Sequence, residues 1–364
     1  ELGINPKIAT LYSSQQPEQV ADAFSDNRVK PLEPAPDIST DSISQCSHIV
    51  ALAGAEQINE AIETGADIIL AGRTTDTAII AALPLARGVN PGTAWHGAKI
   101  AECGALCSTN PTSGVIVVDF HADAFEVRPM ADNAVCTPHS VSAHMLYENA
   151  DPFLLHEPGG SLDVTHAQYE SVTDAVRVTG STWTTAEQYT VKLEGASLAG
   201  YQTTILAMLR DQRYVDNADA WIERLQTFLQ KEIQERMSLS SADYDLEFRL
   251  MGKNSVLGDH ETRTGTSVEL GVLGIITAKS AETAEEIGKL INPFVLHYPL
   301  TDNEELPTFA FPYSPAQSER GALYEFSLNH TLVLEQPMDV FRLCVQHAND
   351  TVTSIRPAAQ AGSA

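Results

Sequence analysis

Four consecutive residues, Arg73, Thr74, Thr75 and Asp76, combine a guanidinium, two hydroxyls and a carboxylate directly after an apolar run. The residues that follow have helical spacing, so these four are predicted at a helix N-terminus, where free backbone N–H groups and the helix dipole favour an anion. The arginine could hold a carboxylate or phosphate through two hydrogen bonds. Alternatively, a threonine caps the helix, Asp76 complements its dipole, and Arg73 lies at the surface.

Glu102 and His139 are candidates for proton transfer. Glu102 is predicted in a helix beside Cys103, where a cysteine among small residues is usually packed rather than nucleophilic. His139 follows Thr137-Pro138 at a predicted helix start, where the dipole keeps an imidazole neutral and able to act as a base. A capped helix with a surface histidine is the alternative for His139.

Lys192 is a candidate for binding a substrate anion. It flanks Leu193 together with Glu194 on a predicted strand. A lysine and a glutamate in that arrangement usually form a solvated ladder, and this is the alternative to a binding role for Lys192.

Asp119, His121 and Asp123 alternate along the chain and could bind a metal ion. In an unbroken strand the three side chains would share one face, as a hard or borderline cation requires. If His121–Asp123 instead forms the tip of a hairpin, they are solvated turn residues. No conventional zinc spacing is present, and no metal site is predicted.

Charge and missing motifs exclude several classes of function. The 48 acidic and 22 basic side chains give a net charge of −26, which repels nucleic acid and anionic lipid. No apolar run reaches the roughly 18 residues that span a bilayer. The dinucleotide loop GxGxxG, the P-loop, HExxH and GxSxG are all absent, so no cofactor is predicted. Five cysteines without CxxC spacing indicate reduced thiols and a cytoplasmic location.

The elements that would position these residues indicate an α/β protein. In the first part, apolar strands alternate with amphipathic helices, which predicts a parallel-sheet βαβ layer. The predicted strands and helices of this part are Lys7–Tyr12, His48–Ala53, Glu56–Thr64, Ala66–Ala71, Asp76–Arg87 and Ala94–Cys107. Arg73 to Asp76 then follow the carboxyl end of a strand, the usual place for ligands in an open α/β sheet.

The second part is predicted to be an α+β ferredoxin-like domain. A hairpin at 114–130 and a helix at 137–149 precede a Pro- and Gly-rich stretch. The elements beyond it follow the order strand, helix, strand, strand, helix, strand. The predicted domains are an N-terminally incomplete α/β domain at 1–150, an irregular linker at 151–174, the ferredoxin-like domain at 175–350 and a flexible tail at 351–364.

Several separated motifs resemble the acyclic terpene utilisation AtuA-like family, over almost the whole chain. The motifs are Gly65–Ala78, Glu102–Ala105, Cys136–Pro138, Leu146–Glu148, Asp151-Pro152, Pro158–Gly160 and Val191–Ala196. Members of that family usually carry further residues before the part that matches Glu1. The resemblance therefore implies a missing N-terminal segment, and a cytoplasmic catabolic protein that acts on small carboxylates or acyl-CoA esters.

Together these observations predict a hydratase or lyase. Arg73, the Thr74 and Thr75 amides and Lys192 would hold a small carboxylate or a branched acyl-CoA thioester, while Asp76, Glu102 or His139 moves protons. One alternative is a non-catalytic scaffold that assembles through the ferredoxin-like domain. Another is a metal-dependent hydrolase built on Asp119, His121 and Asp123. A homo-oligomer is expected, with the missing N-terminal segment as a further partner.

Overall fold

A computed structural model describes residues 4–110, 114–263 and 265–349. The described residues form two compact units: unit 1 runs to Ala196 and resumes at Phe326, and unit 2 is Ser197–Glu325. About 30% of the described residues are helix and about 35% strand, so the fold is mixed α/β with several sheets. The chain leaves unit 1 within β13 (Tyr189–Leu209) and returns to it within β16 (Gln317–Leu334).

Unit 1 contains most of the elements. Its other strands are β1 (Lys7–Tyr12), β2 (Ser14–Gln15), β3 (Val29–Pro31), β4 (Cys46–Ala51), β5 (Ile68–Ala71), β6 (Ile116–Phe120), β7 (Phe125–Pro129), β8 (Leu154–Glu157), β9 (Gly160–Asp163), β10 (Gln168–Val172), β11 (Ala175–Thr179), β12 (Thr182–Thr185) and β17 (Arg342–His347). Its helices are α1 (Pro17–Ser25), α2 (Thr40–Ser44), α3 (Ala55–Glu63), α4 (Asp76–Ala86), α5 (Pro91–Glu102) and α6 (Pro138–Ala143).

The predicted parallel layer is present in part. β1 pairs in parallel with β5 and antiparallel with β17, whereas β4 pairs with β2 and β13. The chain segments that follow β4 and β5 meet in a parallel bridge between Ala53 and Thr74. The carboxyl ends of these two strands therefore lie side by side, although the strands themselves are in different sheets.

Two predicted helices are shorter than their patterns suggest. α5 begins at Pro91 after the Asn90 cap, as proline at a first helical position favours, and ends at Glu102. A 3-10 turn, Gly104–Cys107, continues the chain where a helix was predicted. α6 likewise ends at Ala143 and passes into a second 3-10 turn, His144–Leu146.

Residues 151–174, for which an irregular linker is predicted, hold the three strands β8, β9 and β10. Pro158 and Gly159 form the short connection between β8 and β9, whereas Pro152 precedes β8 and Gly160 begins β9. Leu155 and Leu162 are buried in the core of unit 1, so this segment belongs to that unit. The predicted tail at 351–364 lies outside the described residues.

Unit 2 has a separate core between a sheet and two helices. Its elements are the second part of β13, α7 (Gln212–Asp216), α8 (Ala218–Met237), β14 (Tyr244–Met251), β15 (Leu270–Ala278), α9 (Ala281–His297) and the first part of β16. The strand order is β14-β15-β13-β16. Trp221, Leu225 and Leu229 of α8 pack with Ile287 and Ile291 of α9, as the apolar stripes of both helices predict. No described helix combines the length and the apolar character needed to cross a membrane.

Candidate active site

The candidate site begins where the chain leaves β4 and β5. The Ala53 amide donates to the Arg73 carbonyl at 3.1 Å, and the Thr75 amide donates to the Ala53 carbonyl at 3.0 Å. The Thr75 amide, predicted to bind a substrate anion, is therefore already occupied by the backbone. Thr74, which is 3% exposed, forms the parallel β-bridge with Ala53.

The start of α4 turns one hydroxyl toward α5. Thr75 is the N-cap residue, and its Oγ1 accepts from the Ala78 amide at 3.2 Å. Thr77, two residues further on and 3% exposed, donates from Oγ1 to Oε2 of Glu102 at 2.6 Å. Thr75 therefore caps α4, as the alternative interpretation of this motif predicts. The start of α4 also places the Thr77 hydroxyl within hydrogen-bond distance of a buried carboxylate.

Glu102 also pairs with Lys99, one helical turn earlier on α5. The two side chains are 8% and 9% exposed, and α5 is buried on all sides from Gly92 to Ile100. An ion pair so far from water is costly to form, and it becomes strongly destabilising when one partner is removed. Such a pair is weak evidence for stability. Ionisable groups in environments of this kind are common at functional sites, so Lys99 and Glu102 are candidate site residues.

A second carboxyl, that of Glu157, lies at the end of β8 beside this ion pair. Burial raises the pKa of Glu157 to about 7, and the Glu102 charge adds to this rise. The Thr75 and Thr77 hydroxyls and the Lys99 ammonium oppose it without cancelling it. Its Oε2 is buried without a hydrogen-bond partner among the described residues. Two neighbouring carboxyls thus differ in environment, the pattern that separates an acid from a base.

Gly54 allows the end of β8 to approach this site. A Cβ at Gly54 would lie 2.7 Å from Cβ of Pro158 and 2.8 Å from the Tyr189 hydroxyl. Since Pro158 directly follows Glu157, a side chain at Gly54 would displace the turn that carries this carboxyl.

The histidine near the buried group is His144, whereas His139 was the predicted one. His144 is 5% exposed, and its Nε2 is buried without a partner among the described residues. Burial and the Lys99 charge lower the pKa of His144, and Glu102 partly opposes them, so the ring is neutral near pH 7. His139 lies exposed on α6, and no hydrogen bond or ion pair of the described residues joins its imidazole to Glu102.

Arg73 and Lys192 meet at a third carboxylate, that of Glu194. Arg73 Nε lies 3.1 Å from Glu194 Oε2, and Lys192 Nζ lies 3.0 Å from Oε1. Burial opposes ionisation of Glu194, but both cations together lower its pKa. Asp76 is more exposed and lies 3.5 Å from Arg73 Nη1. The predicted binding residues Arg73 and Lys192 are thus brought together at Glu194.

An apolar cavity of about 580 Å³ reaches Glu102 and Cys103. Its walls come from Ile80 of α4, from β6 and from the 3-10 turn after α5. Val115, which is 70% exposed, lies on its lining. A cavity with apolar walls and a few polar groups at one end is the usual form of a small-molecule site.

The residues of the metal alternative do not form a ligand cluster. Asp119 lies 3.4 Å from Arg128, and His121 lies 3.8 Å from Glu126. The His121 amide donates to the Ala124 carbonyl at 2.8 Å, which closes the tip of the β6–β7 hairpin and ends the alternation. Among the described residues, no group of three or more His, Cys, Asp and Glu side chains is placed to hold a metal ion.

Sequence reasoning missed Lys99, Glu157, His144 and Glu194 as site residues. For Lys99 and Glu102 a signal existed, because two charges three residues apart interrupt an otherwise apolar helix. Glu157 gave no such signal, because it falls in a stretch whose prolines and glycines predict a linker.

The sequence model of one family, described as acyclic terpene utilisation family protein AtuA, matches residues 1–107 and 118–309. The chain belongs to the AtuA family. No curated protein and no solved structure matches it. The match includes every residue of the buried Lys99, Glu102 and Glu157 group, as well as Arg73 and Lys192. Membership in the AtuA family ties the chain to the utilisation of acyclic terpenes, which is a catabolic role.

Proposed function

We propose that this chain is an enzyme of the hydratase or lyase type that acts on a small branched carboxylate or its acyl-CoA thioester. The observation that carries the proposal is the Glu157 carboxyl beside the Lys99–Glu102 ion pair, whose Oε2 is buried and has no hydrogen-bond partner in the described part of the chain. A buried polar atom without a partner costs about 1–3 kcal/mol. A polar substrate atom bound there would remove that cost.

In this proposal Glu157 is the general acid and Glu102 the general base. A carboxyl with a pKa of about 7 is about half protonated at pH 7 and largely protonated below it, so it can both hold and release a proton. In a dehydration, Glu102 takes a proton from the carbon next to the carbonyl. Glu157 gives its proton to the departing hydroxyl as the C–O bond breaks, and water leaves.

Lys99, Thr77 and His144 support these two steps. Lys99 and Thr77 hold Glu102 in one orientation. The buried Nε2 of neutral His144 can exchange a hydrogen bond with a polar substrate atom near the ion pair. Thr75 caps α4, and its hydroxyl also forms a hydrogen bond with the Glu157 carboxyl.

Substrate binding is assigned to two neighbouring regions. The half-exposed Arg73 and Lys192 offer the cationic surface for a carboxylate or for the phosphates of a CoA ester. The apolar cavity beside Glu102 and Cys103 fits a branched hydrocarbon chain, which agrees with terpene utilisation by the family. The predicted roles of Asp76 and His139 in proton transfer have no such geometric support and are not retained.

The test uses the full chain and two probes, a branched β-hydroxyacyl-CoA and the matching α,β-unsaturated thioester. We expect interconversion by loss or gain of one water, followed by mass spectrometry. Glu157→Gln should lower kcat about 100-fold or more, while Glu60→Gln, an exposed control on α3, should leave it unchanged. No conversion by the unmodified chain, or full activity of Glu157→Gln, would contradict the proposal.

We propose in addition that unit 2 has a ferredoxin-like fold. The support is its strand order, β14-β15-β13-β16, with α8 and α9 as the intervening helices. A homo-oligomer and a cytoplasmic location stay predictions from the sequence.

A further inference from the structure

Two buried cysteines of unit 1 lie side by side outside the proposed catalytic group. The Sγ atoms of Cys107 and Cys136 are 3.9 Å apart. Cys107 is fully buried and Cys136 is 8% exposed. Cys107 ends the 3-10 turn that follows α5, and Cys136 directly precedes the Thr137 cap of α6.

The backbones of the two segments are already joined at this point. Ser108 and Cys136 form an antiparallel bridge, and the Thr109 amide donates to the Val135 carbonyl at 3.0 Å. Cys136 lies opposite Ser108 in this bridge, and Cys107 is the residue directly before Ser108. A disulfide needs a sulfur–sulfur bond of about 2.05 Å. The two Sγ atoms, which are 3.9 Å apart, must therefore approach each other by about 2 Å to form it.

We propose that Cys107 and Cys136 are a thiol pair that hydrogen peroxide converts into a reversible disulfide. In the first step the Cys136 sulfur attacks one peroxide oxygen, the O–O bond breaks, and water leaves with the thiol proton. Cys136 is then a sulfenic acid. In the second step the Cys107 sulfur attacks the Cys136 sulfur, the S–O bond breaks, and a second water leaves. Peroxide is reduced by two electrons and the two thiols are oxidised to one disulfide.

The environments of the two thiols assign these roles. The hydrogen bond between them lowers the pKa of Cys136, although burial works against this, and both burial and the same bond raise the pKa of Cys107. The thiolate is the form that reacts with peroxide. Cys136 is also the more exposed of the two, and its neighbour Val135 is 55% exposed. Cys136 is therefore the attacking thiol and Cys107 the resolving one.

Formation of the disulfide depends neither on the proposed hydratase or lyase activity nor on a bound substrate. It would link the segment after Glu102 covalently to the start of α6, and constraining the unfolded chain in this way raises the temperature of unfolding.

The experiment treats the full chain with hydrogen peroxide, blocks the remaining thiols by alkylation, and maps the peptides by mass spectrometry. We expect two of the five cysteines to escape alkylation, a cross-linked peptide pair containing Cys107 and Cys136, and full reversal by dithiothreitol. Cys107→Ala should leave a sulfenic acid at Cys136 that dimedone traps. Cys344→Ser, a buried control on β17, should keep the cross-link.

Peptide mapping of the peroxide-treated, unmodified chain is sufficient to test the proposal, so the test does not depend on whether the variants fold. A peroxide-treated chain in which both cysteines are still alkylated overturns the proposal. A disulfide that instead joins Cys103 to Cys107 overturns it as well.

Discussion

The Thr77 hydroxyl lies 2.6 Å from Oε2 of Glu102 and ties the first turn of α4 to the last turn of α5. Both residues are almost fully buried, and this bond holds one carboxylate oxygen while Lys99 binds the other. A carboxylate held by two groups within one buried cluster has little freedom to reorient. This rigidity is what a positioned catalytic base needs.

Removing Lys99 should destabilise unit 1 strongly. Lys99→Met leaves the Glu102 charge buried and unpaired, and we expect the free energy of unfolding to fall by about 3–5 kcal/mol. Adding Glu102→Leu to this variant should restore most of the loss. Urea denaturation at pH 7 measures both effects. Lys289→Met removes an exposed lysine paired with Glu285 on α9 and should cost no more than about 1 kcal/mol. Equal losses for the two single variants would argue against a buried pair.

The raised pKa of Glu157 predicts how stability depends on pH. In the unfolded chain a glutamate titrates near 4.5, and in the folded chain burial raises its pKa to about 7. The stabilising contribution of the protonated group is therefore fully present below pH 4.5, and it is lost as pH rises to about 7. The shift corresponds to about 3 kcal/mol. Glu157→Gln should remove this loss, so the variant gains stability relative to the unmodified chain between pH 4.5 and 7.

Chemical denaturation at several pH values measures this difference directly. Glu60→Gln, with its exposed side chain, should follow the unmodified chain throughout. The prediction fails if the curves for Glu157→Gln and the unmodified chain stay parallel.

Arg73 and Lys192 should contribute to substrate binding rather than to turnover. Since both surround Glu194 and remain partly exposed, Arg73→Ala and Lys192→Ala should each raise KM for an acyl-CoA about tenfold, equivalent to about 1.4 kcal/mol, with a smaller effect on kcat. Arg28→Ala removes an exposed arginine elsewhere in unit 1 and should leave KM unchanged. An effect on kcat alone would assign the two residues to the chemical step.

The cavity should accept the hydrocarbon part of the substrate. Val115→Trp adds bulk to an exposed residue on its lining, so we expect weaker binding of long branched acyl chains than of short ones, and little change in stability. Steady-state kinetics with a series of acyl-CoA esters tests this. Val256→Trp, at a residue of unit 2 that is 89% exposed, is the matched control. If all chain lengths respond equally to Val115→Trp, this cavity is not the chain-binding site.

His96 should be a structural histidine. It is fully buried, with Nδ1 2.7 Å from the Ser181 hydroxyl and Nε2 3.2 Å from the Tyr169 hydroxyl, and burial lowers its pKa to about 3. Its stabilising contribution is present above pH 6.5 and is lost as pH falls toward 3. His96→Phe leaves both hydroxyls unpaired and should cost about 1–3 kcal/mol at pH 7.

The difference between His96→Phe and the unmodified chain should shrink below pH 6.5, because only the unmodified chain loses stability there. Thermal unfolding between pH 4 and 8 would show this convergence. A difference that stays constant over the range would contradict a neutral, buried His96.

Local patterns along the sequence determined the type and order of many elements. The apolar run of β1, the hairpin of β6 and β7, and the Thr75 and Thr137 caps all depend on neighbouring residues, and the structure has them where the sequence predicts. The sequence also determined the strongly acidic balance and the family. Helix ends were less well predicted, because α5 and α6 pass into 3-10 turns that share the helical spacing of apolar residues.

Only the tertiary structure decided which polar residues meet. Glu157, Glu102 and Thr77 come from three distant segments, and nothing in the local sequence around Glu157 indicates burial. Its raised pKa arises from desolvation and from neighbours that folding brings close. The same holds for Arg73, whose anion site was predicted from its neighbours along the chain but which the structure pairs with Glu194. Burial and long-range pairing are properties of the folded chain, so the sequence located Arg73 to Asp76 at the start of α4, and folding decided which polar groups meet beside it.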